Sequence, residues 1–450
     1  MWYQGWILLD SVVFVGNGGA NLLGVWEYAA AAGLLTPYSA ERKLGLLSTS
    51  ALSNRNFAIY FSGTLIVLHG LWIYRLTISW LAWELTHSVF LVGVVSFCQF
   101  APGIVLGPIF GVAADRYDLV RTAMFIHSGM MILSLVLAAI TGLDRLTIEI
   151  LAGFAVLQGV MGGAYTPTRL SLITQLVPRE LFASATGYLA VAFNLSRFMG
   201  PALAGLVITL LGAAWAFGLF ACLIIPAIIS LVIVEILPRK ARKSSNASVL
   251  GDLRDGLQYT LTHPTIRWLL ILVATNGVLA RGVLELLPAV TEILFGGGSA
   301  EFAVLTTAAG AGAIVASIVV TRTQNSERLL RMASSAALAS SCLLLALGLT
   351  ENYWIGISVV AGLGCSCTLC GVGVQALIQL EVDDNFRGRV LGLWGVFAIG
   401  ATAIGGLLLG SVARVSSIST TAIGSALILA VLSVLLGSTL IRGQEVERSS

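Results

Sequence analysis

Three arginines and one glutamate sit where charge is expensive. Arg75, Arg197 and Arg281 each lie inside a long apolar run, and Glu285 follows Arg281 by four residues. An ionisable side chain in such a run marks a solute pathway, a pairing partner or a proton relay. Four-residue spacing puts Arg281 and Glu285 on one helix face, so these two are expected to pair. A cavity that raised its pKa would let Glu285 exchange protons as well. Around Arg75, the residues His69, Trp72, Ser79 and Trp83 recur at three- and four-residue intervals. Such a stripe suits an aromatic-lined cavity that takes an amphipathic or anionic solute. Gln158 and Asn194 are further polar candidates for the same pathway. The plain alternative for each arginine is structural: it snorkels or bonds backbone carbonyls.

A second constellation is Gly111-Val-Ala-Ala-Asp115-Arg116-Tyr-Asp118-Leu-Val-Arg121. It ends one apolar run and begins the next. Small residues let two helices pack closely, and Asp115, Arg116 and Arg121 can form charge-assisted hydrogen bonds that hold a gate closed. The alternative is a solvated turn. A third is Arg197-Phe-Met-Gly200-Pro201-Ala-Leu-Ala-Gly205, where Pro201 removes a helical hydrogen bond and is expected to kink the chain. Gly200 and Gly205 would admit a neighbouring helix.

Other chemistries find no residues to carry them. The four histidines are scattered with no H-E-x-x-H, no pair of intramembrane aspartates suggests a protease, and no G-x-x-x-x-G-K-[ST] segment exists to cradle phosphates. The six cysteines all fall in apolar runs; Cys365, Cys367 and Cys370 read as helix-packing residues, not metal ligands. There is no basic tract with interleaved aromatics, so nucleic acid is not an expected partner. No cofactor or metal is expected, a proton gradient is the expected energy source, and the chain is not expected to be an enzyme.

The elements that must position these residues are membrane helices. The chain of 450 residues is 57% hydrophobic and 10% charged, against roughly 25% charged in soluble domains. Its mean hydropathy is +0.93. Apolar blocks of about 20 residues or more recur, long enough to cross about 30 Å of hydrocarbon as helices. Twelve spans are expected, near 57–83, 89–113, 121–141, 147–172, 182–208, 211–236, 266–291, 300–320, 330–349, 353–379, 388–411 and 418–441. Numbering the links alternately from a cytoplasmic N-terminus leaves only Arg145 and Arg414 outside, apart from the three intramembrane arginines. Both termini are therefore expected in the cytoplasm.

A weak internal repeat divides the spans. Gln175-Leu-Val-Pro-Arg-Glu-Leu-Phe182 precedes span 5, and Gln379-Leu-Glu-Val-Asp-Asp-Asn-Phe386 precedes span 11. Residues 237–265 form a polar, basic link between spans 6 and 7. The expected organisation is a six-helix bundle over 56–236, a cytoplasmic linker over 237–265, a second bundle over 266–441 and a tail over 442–450. Two halves in one orientation are what a parallel repeat gives. Residues 1–55 have no partner in the repeat. They are read as an upstream extension, with an interfacial helix or a thirteenth span as alternatives.

The segment Gly111–Arg121 resembles the cytoplasmic loop motif G-x-x-x-D-R-x-x-x-x-R of the major facilitator superfamily. Trp80-Leu-Ala-Trp-Glu-Leu-Thr86 with Ser88, Leu286-Leu-Pro288 and Arg387-Gly-Arg-Val-Leu391 are similar to the branch that holds the enterobactin exporter and related drug/proton antiporters. Arg197–Gly205 resembles the antiporter Gly-Pro motif of that superfamily, where such a kink is thought to seal the path against leak. Leu119 and Val120 depart from the loop motif, which commonly has basic residues there. The resemblance runs from about residue 50 to 440. It implies a fold of twelve helices in two bundles and alternating access. It also implies proton-coupled export of a small amphipathic solute such as a drug-like compound, a siderophore or a metabolite. The expected setting is a bacterial inner membrane, as a monomer in the lipid bilayer. Import of a small metabolite, or a scaffold or sensor role without transport, remains the alternative.

Overall fold

The structure, a computed structural model, describes residues 50–235, 249–323, 325–383 and 386–449. For residues 108, 111–116, 249–250, 252–253 and 441–449 it describes the backbone alone. Residues 1–49 and most of the link before residue 249 lie outside the described residues, so the readings of the N-terminal extension and of the basic cluster in the link concern segments not described. Among the described residues every regular element is a helix, and twelve spans are long and apolar enough to cross a membrane.

The first half comprises α1 (Arg55–Thr86), α2 (Val89–Arg116), α3 (Leu119–Gly142), α4 (Ile148–Leu176), α5 (Phe182–Leu211) and α6 (Ala213–Ile233). A short helix, α7 (Val249–Thr262), lies in the link and was not foreseen. The second half comprises α8 (Pro264–Glu285), α9 (Leu287–Phe295), α10 (Ser299–Thr321), α11 (Ser326–Leu349), α12 (Tyr353–Glu381), α13 (Arg387–Val415) and α14 (Ile418–Ser449). Helices α8 and α9 together make the expected span 7. The last helix runs on through the segment read as a tail.

Polar residues fix where helices begin. The side chains of Asn54, Asp118, Thr147, Asn325 and Asn352 accept hydrogen bonds from backbone N–H groups of the first turns of α1, α3, α4, α11 and α12. The expected start of span 9 at 330 is therefore late: Asn325 caps the helix, and Glu327, Arg328 and Arg331 occupy its first turns ahead of the apolar stretch. Large apolar side chains such as Phe125, Leu210, Trp215 and Val232 stay exposed on the outer surface, as a bilayer-facing surface requires.

Packing repeats with the sequence order. In the first half α1 packs on α5 and α6, α2 on α4, and α3 on α4 and α6. In the second half α8 packs on α13 and α14, α10 on α12, and α11 on α12 and α14. Each pairing recurs six spans later, as a parallel repeat requires. The halves meet through α2 against α13 and α5 against α10.

Candidate functional site

The arginines of the sequence reading come together. Arg75, Arg197, Arg281 and Glu285 line one cavity between the halves, with Trp72, Ser79, Ser96, Gln99, Phe302 and Thr306 also on its wall. The space between its lining atoms is about 740 Å³, open solvent included.

Glu285 does not pair with Arg281. Its Oε1 accepts from the Arg75 guanidinium at 2.6 Å, and its Oε2 accepts from the Ser96 hydroxyl at 3.2 Å. The helix is irregular on either side of the pair. Gly277–Arg281 is a π-helical turn, and the α-helix after it stops at Glu285. Pro288 lacks the N–H that would bond the carbonyl of Leu284, so the chain breaks at Leu286 and restarts as α9. Gly282–Glu285 itself stays α-helical, but both carboxylate oxygens of Glu285 are taken by Arg75 and Ser96 of the other half. The bond links α8 of the second half to α1 and α2 of the first. Arg75 is held further between the rings of Trp72 at 5.0 Å and Phe100 at 4.6 Å from their centroids.

Arg197 donates to the Thr368 hydroxyl at 3.3 Å, a neutral partner. Among the described residues no carboxylate lies within ion-pair distance of Arg197 or Arg281. Phe100, Ser96, Gln99, Phe302, Thr306 and Thr368 were missed by the sequence reading. Ser96 and Gln99 carried a signal: they are polar, three residues apart, within an apolar run.

Two expected pathway residues are not at the cavity. Asn194 donates to the carbonyl of Ala190 on its own helix at 2.9 Å. Gln158 is buried on α4 inside the first half, with both ends of its amide lacking a hydrogen-bond partner among the described residues. The stripe along α1 also divides. Trp72, Arg75 and Ser79 face the cavity, His69 meets Ser196 of α5 at 3.0 Å, and Trp83 reaches beyond the cavity to bond Glu292.

Beyond the cavity, toward the turns at residues 86–89 and 295–299, the halves are sealed. A Cβ on Gly93 would lie 2.3 Å from the carbonyl oxygen of Gly406, and one on Gly205 would lie 2.1 Å from the Cβ of Ala303. Only glycine permits such approach. The Trp83 indole N–H donates to Glu292 at 2.6 Å, His87 stands 3.6 Å from the same carboxylate, and the rings of Trp80 and Phe302 stack at 5.9 Å. Pro201 lies buried within α5, which continues through it as a helix. Gly200 seats Trp72 of α1, where a Cβ would fall 2.4 Å from the Trp72 Cβ. At the opposite end, a Cβ on Gly107, Gly187, Gly392 or Gly395 would meet nothing within 4 Å.

The gate residues of the loop motif are only partly visible. Gly111, Asp115 and Arg116 close α2, but their side chains lie outside the described residues. Arg121 is exposed in the first turn of α3, and its backbone N–H bonds the Asp118 cap at 2.8 Å.

Twelve helices in two repeated halves, a polar cavity between them and closure at one end define a multi-pass membrane transporter. The model of the transmembrane secretion effector family matches residues 47–450, and the chain belongs to that family of the major facilitator superfamily. It is similar to the staphyloferrin A transporter of Staphylococcus aureus (strain NCTC 8325 / PS 47), at 24% identity over 74% of this chain and 84% of that protein. It is similar also to the enterobactin exporter EntS of Shigella flexneri, at 24% identity over 79% of this chain and 82% of that one. Among solved structures, the nucleoside transporter NupG superposes with a TM-score of 0.66 at 12% identity, covering 85% of this chain and 98% of that one. A bacterial homologue of the human lysosomal transporter Spinster, inward-facing and unoccupied, gives 0.63 at 15% identity, covering 86% and 98%. These structural likenesses bear on the fold.

Proposed function

We propose that this protein exports a small amphipathic solute by alternating access, in exchange for protons. The observation that carries the reading is the Arg75–Glu285 bond, an ion pair that joins the two halves on the wall of the cavity. Alternating access requires contacts between halves that can be exchanged, and a carboxylate that releases an arginine when it takes a proton is such a contact. The names of the relatives support a siderophore-like or comparable solute, and one of them is an exporter. By the placement of Lys and Arg, the sealed end faces outward and both termini face the cytoplasm of a bacterial cell. The cavity then faces the cytoplasm, where an exporter collects its solute. The small residues Gly200 and Gly205, with Pro201, hold α5 against α1 and α10 and keep the sealed end free of leak. Asp115, Arg116 and Arg121 are the gate that forms when the cytoplasmic end closes.

The test is counterflow of candidate solutes in proteoliposomes, with and without an imposed pH gradient. Glu285→Gln keeps the shape but not the charge. We expect the pH gradient to accelerate wild-type flux and to leave the variant unmoved, with gradient-driven flux reduced at least about tenfold, the loss of one charge-assisted contact. A variant that still follows the gradient removes Glu285 from the coupling.

A further inference from the structure

The cavity carries more positive charge than its own residues balance. Three arginines and one carboxylate on its wall leave a formal charge of +2. Arg75 is satisfied by Glu285 and by two aromatic faces. Arg197 has one neutral hydroxyl partner, and Arg281 has no carboxylate within ion-pair distance among the described residues. Arginine keeps its proton at neutral pH, so both guanidinium groups are cations. Both are half-buried within the membrane span, and a cation partly withdrawn from water with no counter-charge is disfavoured. The two unbalanced cations belong to different halves, Arg197 to α5 and Arg281 to α8.

We propose that the solute is an organic anion with at least two carboxylates, one bound by Arg197 and one by Arg281, so that it clamps the two halves together. This deepens the transport reading above and rests on it. The planar guanidinium fork matches a carboxylate with two parallel hydrogen bonds, which a hydroxyl or a cationic drug cannot supply. The half-buried Trp72 on the same wall adds an aromatic ring beside the body of the solute. A monocarboxylate satisfies one arginine and leaves the other bare. A cation meets repulsion from both.

The experiment measures binding to the purified full chain in detergent, by isothermal titration. The probes are benzene-1,3,5-tricarboxylate, benzoate and tetraphenylphosphonium. We expect the tricarboxylate to bind at least about tenfold more tightly than benzoate, the yield of one further charge-assisted pair, and the phosphonium not to bind. Arg197→Gln and Arg281→Gln should each cut tricarboxylate affinity about tenfold or more and bring it close to that of benzoate. Arg281→Lys should recover part of the loss. Equal affinity for tricarboxylate and benzoate, or preference for the phosphonium, overturns the inference from the wild-type protein alone, whatever the variants do. Counterflow separates the two readings. Tricarboxylate binding with no counterflow of any solute sinks the transport reading and leaves the anion site standing. Counterflow of the phosphonium without tricarboxylate binding does the reverse.

Discussion

The two ends of the molecule are built from the same repeated helices, yet they meet in opposite ways. At the sealed end α2 touches α13 and α5 touches α10 at backbone distance, through Gly93 with Gly406 and Gly205 with Ala303. A charge-assisted hydrogen bond from Trp83 to Glu292 and the stacked rings of Trp80 and Phe302 reinforce the closure. At the other end a Cβ added to Gly107 of α2 or Gly392 of α13 would meet nothing within 4 Å among the described residues. The link helix α7 is fixed there to the second half. Tyr259 stacks on Phe386 at 4.4 Å and donates to Asp383 at 3.2 Å, and Asp255 lies 3.7 Å from Arg389. Glycine is present at both ends, so composition does not set which end is closed. The specific cross-half bonds of Trp83 and Glu285 favour closure at one end.

Substitutions at the two ends can break or sharpen this contrast. The largest effect is expected from Gly205→Leu, which forces α5 from α10. Overpacking of this kind costs about 1–3 kcal/mol, a shift of roughly 5- to 150-fold away from the sealed state. Spin labels at Thr209 and Ser299, whose hydroxyls stand 3.3 Å apart across this contact, would report it as a longer distance. An unchanged distance would mean that the seal does not depend on that approach. Trp83→Phe should act less strongly. It keeps the ring and removes only the N–H to Glu292, and because that carboxylate is 41% exposed and still reaches water the loss should be about 0.5–1.5 kcal/mol. The same labels should show a partial shift. His87→Ala should be smaller again, at most about 1 kcal/mol, because its side chain is 63% exposed. Gly107→Val at the open end should leave the labels and the melting temperature of this state unchanged within about 0.5 kcal/mol. A melting change as large as that of Gly205→Leu would show that the open end is packed after all.

Much of the architecture was legible in the residues. Apolar blocks of spanning length gave the twelve helices, because lipid leaves a chain segment few ways to satisfy its backbone. The arginines were legible as a group for the same reason, since charge in such a block is rare and needs a cause. Their partners were not. The pairing of Arg281 with Glu285 followed from helical spacing, and it failed because Arg75 and Ser96 of the other half take both oxygens of Glu285. Gln158 and Asn194 are polar in apolar runs just as Ser96 and Gln99 are. Nothing local distinguishes the pair that faces the cavity from the pair that faces a neighbouring helix or its own backbone.

The sequence by itself determined that this chain spans a membrane, how often, and which few residues hold charge inside it. Those properties depend on each segment's own transfer into lipid, which is local. Only the tertiary structure decided that Glu285 bonds Arg75 across the halves, that Arg197 and Arg281 share a cavity with no carboxylate of their own, and that one end is closed. Those depend on how helices more than 100 residues apart in the chain are set against each other. Close packing between halves is a property of matched surfaces, and no single segment contains it.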